Sequence, residues 1–165
     1  MSVNRYQNYL MVLFEDNAYK DLFLGFDFAW HKQIELKPVY QGFDDVYLQL
    51  TYHNSLICKE LAKYPTAYVL ALIDGDLDSQ SESKIEQLKN ALTQYQDRIF
   101  IIGSKYEAEH IKRAIIEQGK WKTVGQKLGQ SCKNEACALW QNEMLAHNQA
   151  EITRLKQVFD LWGTS

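Results

Sequence analysis

Three aspartates in five positions, Asp74, Asp76 and Asp78 of "ALIDGDLDSQ", close a long apolar run. Carboxylates this near one another repel. At 4 to 5 Å and an effective dielectric near 20, each pair costs about 3–4 kcal/mol. Solvent, raised pKa values, neighbouring amides or a bound cation can relieve that cost. Residues two apart on a strand project to the same side, so Asp74 and Asp76 converge, and Gly75 between them permits a tight backbone. A second apolar run, "YLMVLFED", also ends in acids, Glu15 and Asp16, and a third, "RIFIIGS", ends in Gly103 and Ser104. If the first and third strands are neighbours, Glu15 lies opposite Asp74 and Asp76. Oxygen ligands from a few carboxylates, completed by water, suit a hard cation such as Mg²⁺ or Mn²⁺. The competing reading is structural: aspartates also start turns and cap helices, and for Asp78 and Ser79 that reading is preferred.

Other chemistry-bearing residues are more scattered. Between Lys105 and Lys133 seven bases (Lys105, Lys112, Arg113, Lys120, Lys122, Lys127, Lys133) face three acids (Glu107, Glu109, Glu117). Such a basic sector is compatible with a phosphate-bearing ligand, with Lys105, Lys112 and Arg113 just past the "RIFIIGS" run, and equally with a solvated helix face. The net charge of −3 gives the whole chain no general affinity for nucleic acid. His31, His53, His110 and His147 have no Cys or His at ligand spacing; His110, beside Glu109, is the one that could assist a proton transfer, and a surface residue is the preferred reading. Cys58, Cys132 and Cys137 form no C-x-x-C and read as thiols of a reduced protein. With no cationic-apolar leader and no membrane-length apolar stretch, the expectation is a cytoplasmic protein without membrane attachment.

The elements that must position these groups follow from periodicity. Apolar runs at Tyr9–Asp16, Gln33–Tyr40, Thr66–Asp76 and Arg98–Ser104 have the length and composition of strands. After the first, Tyr19, Leu22, Phe23, Phe26 and Trp30 fall on one helical stripe, with Asn17 able to cap it. "FDDVYLQLTYHNSLICKELAKY" is helical with a break around His53–Asn54, and "ESKIEQLKNALTQY" is an amphipathic helix. From Glu107 the chain reads as helical: "AEHIKRAIIEQ", a Gly-punctuated stretch containing "WKTVGQKLGQSC", and a long final helix with Met144, Ile152, Leu155, Phe159 and Trp162 on one face. The alternation predicts one α/β domain of 165 residues. It has three layers around a mostly parallel four-stranded sheet, with a helical C-terminal extension from residue 105.

Glu15 in "LFED" and Asp74 and Asp76 in "IDGD" resemble the TOPRIM pattern of topoisomerases, primases and overcoming-lysogenization-defect-type nucleases: a Glu after the first strand and Asp-x-Asp after the third. The resemblance covers about residues 9–104. It implies Mg²⁺ or Mn²⁺ held by Glu15, Asp74 and Asp76, phosphodiester or phosphoryl chemistry on nucleic acid or a nucleotide, and acid/base work for Glu15. It also leaves room for a partner protein or a second copy of the chain to hold the substrate. Asp16–Asn17 stands where a Gly commonly follows the family's Glu, and both residues tolerate turn conformations. "EDNAY" and the E-x-E of Glu107 and Glu109 also resemble a family of bacterial proteins that implies no activity.

Receiver domains offer a second resemblance. There Asp74 would accept a phosphoryl group, Glu15 and Asp16 would hold Mg²⁺, and Ser104 would sense the phosphate, although the Lys of a fifth strand is not visible. The third reading is a non-catalytic interaction subunit that docks through a C-terminal helix carrying Trp140 and Trp162, although core packing is the preferred account of these two tryptophans.

Overall fold

The computed structural model describes residues 3–26, 31–38, 40–75, 83–104, 120–134, 137–141 and 145–159. Four strands form one parallel sheet: β1 (Tyr9–Phe14), β2 (Ile34–Leu36), β3 (Ala67–Leu72) and β4 (Ile99–Ile102), in the order β2-β1-β3-β4. All six residues of β1 are buried. An unbroken apolar run is what a strand covered on both faces requires. Among the described residues β2 pairs only with β1, and it is followed by Pro38, which suits an edge strand.

The side-chain period of two divides the core. Leu10, Val12 and Phe14 of β1 join Leu70, Leu72, Phe100 and Ile102 on one face of the sheet. They pack against α1 (Asn17–Gly25), α5 (Trp121–Asn134) and α6 (Gln149–Val158) through Tyr19, Leu22, Phe23, Val124, Leu128, Ile152 and Leu155. Met11, Leu13, Val69, Ala71 and Ile101 form the opposite face. That face meets α2 (Phe43–Thr51), α3 (Leu56–Lys63) and α4 (Lys84–Ala91) through Val46, Leu50, Ile57, Leu61, Ile85 and Leu88. The result is an α/β domain of three layers.

The helical break around His53–Asn54 is present, because Ser55 restarts the chain as the cap of α3, accepting from the Cys58 amide at 3.0 Å. The stretch containing "WKTVGQKLGQSC" departs from expectation. Residues 121–134 are one continuous helix, not a Gly-punctuated stretch. Its glycines do not break it because they face α1: a Cβ on Gly125 would lie 1.8 Å from the Leu22 carbonyl oxygen, and one on Gly129 would lie 2.5 Å from that of Phe26.

The long final helix is also corrected. Ala138–Gln141 and Ala146–Asn148 are 3₁₀ turns, and the helix begins only at Gln149. Trp140 therefore sits in a turn and is buried, its indole N–H donating to the Leu128 carbonyl at 3.2 Å, while Met144 and Trp162 lie outside the described residues. Asn148 explains why the chain turns there. Its side chain accepts from the Gly103 amide at 3.1 Å and donates to the Gly103 carbonyl at 2.8 Å, satisfying backbone just past the end of β4.

Cys132 and Cys137, expected as free thiols, form a disulfide. The Cys137 amide donates to the Ser131 carbonyl at 2.9 Å, folding the chain back onto the last turn of α5 and bringing the two sulfurs together. Cys58 is free and buried. Among the described residues no helix is long and apolar enough to cross a membrane.

Candidate functional site

The strand order reverses between β1 and β3: the chain moves from β1 outward to β2, then returns to place β3 on the other side of β1. In open parallel sheets such a switch point leaves a crevice at the carboxyl ends of the strands, because the helices following the two strands lie on opposite faces. Glu15 and Asp74 occupy that crevice. The register runs from Tyr9↔Ala67 to Phe14↔Leu72, so the residues just past each strand emerge side by side. The Glu15 amide continues the ladder to the Leu72 carbonyl at 3.1 Å. Its side chain then turns across the crevice, and Oε2 accepts from the Asp74 amide at 2.6 Å.

Glu15 is 9 % exposed, and Asp74 is half-buried. Two acids that emerge side by side in a crevice, one of them nearly enclosed, need compensating donors or a cation. One donor comes from α1. The Tyr19 hydroxyl donates to Asp74 Oδ1 at 2.6 Å and accepts from the Ser104 amide at 3.0 Å, tying the ends of β3 and β4 to the first helix. Burial first, then the charge and hydrogen bond of Asp74, push the Tyr19 phenol well above the usual tyrosine range, with the Ser104 amide opposing. Tyr19 is therefore a neutral donor throughout the physiological range.

Backbone bonds fix the rest. The Gly75 amide donates to the Ser104 carbonyl at 2.7 Å, the Lys84 amide to the Gly75 carbonyl at 2.7 Å, and the Gly42 amide to the Glu15 carbonyl at 3.1 Å. Gly103 lets β4 approach: a Cβ there would stand 1.6 Å from the Ile73 carbonyl oxygen.

Of the residues singled out in the sequence, Glu15, Asp74 and Ser104 are brought into one place. Asp16 is diverted. It, and not Asn17, is the N-cap of α1, with Oδ1 accepting from the Tyr19 amide at 3.0 Å. Likewise Ser83 caps α4, accepting from the Ile85 amide at 3.1 Å, whereas Asp78 and Ser79 lie outside the described residues. Asp76, Lys105, Glu107, Glu109, His110, Lys112 and Arg113 lie outside them too. Among the described residues, no group of three or more His, Cys, Asp or Glu is arranged to hold a metal. Glu15 and Asp74 are two hard oxygen donors of the type such a cation takes.

Tyr19 escaped the sequence reading because it falls on the apolar stripe of α1. The signal was its hydroxyl: a tyrosine on an otherwise Leu/Phe stripe must find a polar partner when buried.

The cap and ligand roles of the two adjacent acids can be separated. Asp16→Ala is expected to cost about 1 kcal/mol through loss of the cap. Asp16→Asn retains an acceptor and is expected to unfold within about 0.5 kcal/mol of the wild type. Urea titration of the pair checks this, and an equal loss in both variants would assign Asp16 a charge-dependent role instead. Compared with family models, curated proteins and solved structures, the chain matches none of them.

Proposed function

We propose that the β1/β3 crevice is a divalent-cation site, for Mg²⁺ or Mn²⁺, serving phosphodiester or phosphoryl chemistry on nucleic acid or a nucleotide. The observation that supports it best is the Glu15 carboxylate reaching across the switch point to the Asp74 amide, which sets two acids of the TOPRIM-like pattern side by side. Asp76, two residues on, supplies the third acid of that pattern. Bound there, the cation would stabilise charge on a scissile phosphate and lower the pKa of a water. The chain's own residues have narrower tasks. Tyr19 orients Asp74 through Oδ1, the Asp74 amide orients Glu15, and Glu15, the more enclosed carboxylate, is the candidate to take up or return a proton. Lys105, Lys112 and Arg113 are assigned to phosphate contacts.

The receiver reading is less well supported. It asks Asp16 for a metal and Ser104 for a phosphate, yet Asp16 caps α1 and Ser104 is fully buried. The interaction-subunit reading loses one of its two proposed anchors, since Trp140 belongs to the core.

Isothermal calorimetry with Mn²⁺ tests the cation site. Binding is expected in the wild type and is expected to weaken at least about tenfold in Glu15→Gln and Asp74→Asn, each of which removes one anionic ligand. Saturation at 100-fold over Kd should add about 2.7 kcal/mol to stability. No heat at millimolar Mn²⁺ in the wild type sinks the proposal. A stable phosphate adduct on Asp74 after treatment with a small phosphodonor would move the assignment to the receiver reading.

A further inference from the structure

The two sulfurs of the Cys132–Cys137 disulfide have unequal surroundings. Cys132 is on the buried side of α5, 3 % exposed and part of the same core as Val124, Leu128 and Trp140. Cys137 is half-buried and lines a surface cavity of about 240 Å³ with Gln141, Gln149, Thr153 and Lys156. The Lys156 ammonium lies 3.2 Å from Cys137 Sγ and donates to it. A nucleophile arriving from solvent thus meets one sulfur, Cys137, with a cation beside it and amide and hydroxyl groups around it.

We propose that Cys137 is a thiol–disulfide exchange site for small acidic peptide thiols. The thiolate attacks Cys137 Sγ and forms a new S–S bond. The Cys132–Cys137 bond breaks, its electron pair leaves on Cys132, and Cys132 takes up the proton that the incoming thiol lost. One disulfide replaces another, so the step needs no oxidant, and it reverses when the Cys132 thiolate attacks Cys137 Sγ and expels the peptide thiol. Lys156 raises the local concentration of an anionic thiol and offsets negative charge gathering on the sulfurs. The glutamines and Thr153 offer donors and acceptors that a peptide backbone can use.

The fold tolerates opening of the bond because the turn is held without it. The Cys137 amide donates to the Ser131 carbonyl and the Leu139 amide to Ser131 Oγ, both at 2.9 Å, and Trp140 remains bonded to Leu128. Cys58, buried in α3 and donating its S–H to main-chain carbonyls at 3.4 and 3.6 Å, is already a thiol and has no disulfide bond for an incoming thiol to attack. This inference is independent of the cation site.

The test uses the full chain and reduced glutathione, with acid quenching, alkylation and peptide mass mapping. The expected product carries one glutathione on Cys137 and an alkylatable Cys132. Lys156→Gln should slow its formation about tenfold while Lys156→Arg preserves it. Cysteamine, which carries its own ammonium, should react no slower with Lys156→Gln than with the wild type. The proposal is overturned by an adduct on Cys132, by no adduct in the folded protein, by an unchanged rate in Lys156→Gln, or by air-purified protein in which Cys132 and Cys137 are both alkylatable before any thiol is added.

Discussion

Gly125→Ala is expected to destabilise the protein by about 3 kcal/mol, although alanine is the better helix former. In an exposed helix interior the substitution gains about 0.5–1 kcal/mol. Here the new methyl would stand 1.8 Å from the Leu22 carbonyl oxygen, 2.8 Å from its carbon and 3.1 Å from its Cα. All three are backbone atoms of α1, so no rotamer change can make room. The crowding is reciprocal, since a Cβ on Gly25 of α1 would lie 2.1 Å from the Lys122 carbonyl oxygen and 2.8 Å from the Gln126 amide. Relief requires α1 and α5 to separate, which opens voids beneath Leu22, Val124 and Leu128 at the centre of one core layer. Overpacking of this kind typically costs 1–3 kcal/mol, and a contact with rigid backbone belongs at the upper end. Gly42→Ala is the comparison. Nothing lies within 4 Å of the Cβ position there, and its φ of +90° limits the penalty to backbone strain of about 1–2 kcal/mol. Urea denaturation measures both. A Gly125→Ala variant within 1 kcal/mol of the wild type would mean that the two helices are not packed backbone to backbone.

The same pair of helices shows what the sequence could and could not reveal. The alternation of buried strand runs with helical stripes is a local property of residue type and spacing, and it was sufficient for the α/β class, the parallel sheet and the break at His53–Asn54. It also placed Glu15, Asp74 and Ser104 at strand ends. In the sequence Gly125 and Gly129 look like punctuation because glycine is a poor helix former alone, whereas their spacing of four residues, one face of a helix, matters only once α1 is known to lie against it. Adjacent acids posed a similar problem. Nothing in "FEDN" distinguishes a carboxylate that turns into the crevice from one that caps the next helix, and the structure assigns Glu15 to the first task and Asp16 to the second. The disulfide and the Asn148 clasp on Gly103 depend on a chain reversal between α5 and α6 that has no periodic signature.

Tyr19→Phe is expected to lower stability by about 2–4 kcal/mol at pH 7 and to flatten the alkaline side of the stability profile. The hydroxyl gives up two bonds in a buried setting. It donates to Asp74, a bond to a charged acceptor worth about 1.5–3 kcal/mol, and it accepts from the Ser104 amide, whose loss of that acceptor costs about 1–3 kcal/mol. The two terms share one oxygen and are not summed in full. The pH dependence has a definite sign. Tyr9, Tyr19 and Tyr40 all have phenols raised in the folded state, each chiefly by burial, reinforced by the neighbouring carboxylates Glu60, Asp74 and Asp45 respectively. Below about pH 10 these side chains are neutral in both states, and the stability linked to them is fully present. Above it the unfolded chain releases protons that the folded chain still holds, so stability falls at up to about 1.4 kcal/mol per pH unit for each such tyrosine. Phenylalanine at 19 removes one of these protons. The gap between variant and wild type, widest at pH 7, should therefore begin to close near pH 10 and narrow by about 1.4 kcal/mol per further unit. Guanidinium titrations from pH 7 to 11.5 would show it. Curves that stay parallel across that range would mean the Tyr19 phenol ionises as readily in the fold as in water, and that it is not the buried donor holding Asp74 at the end of β3.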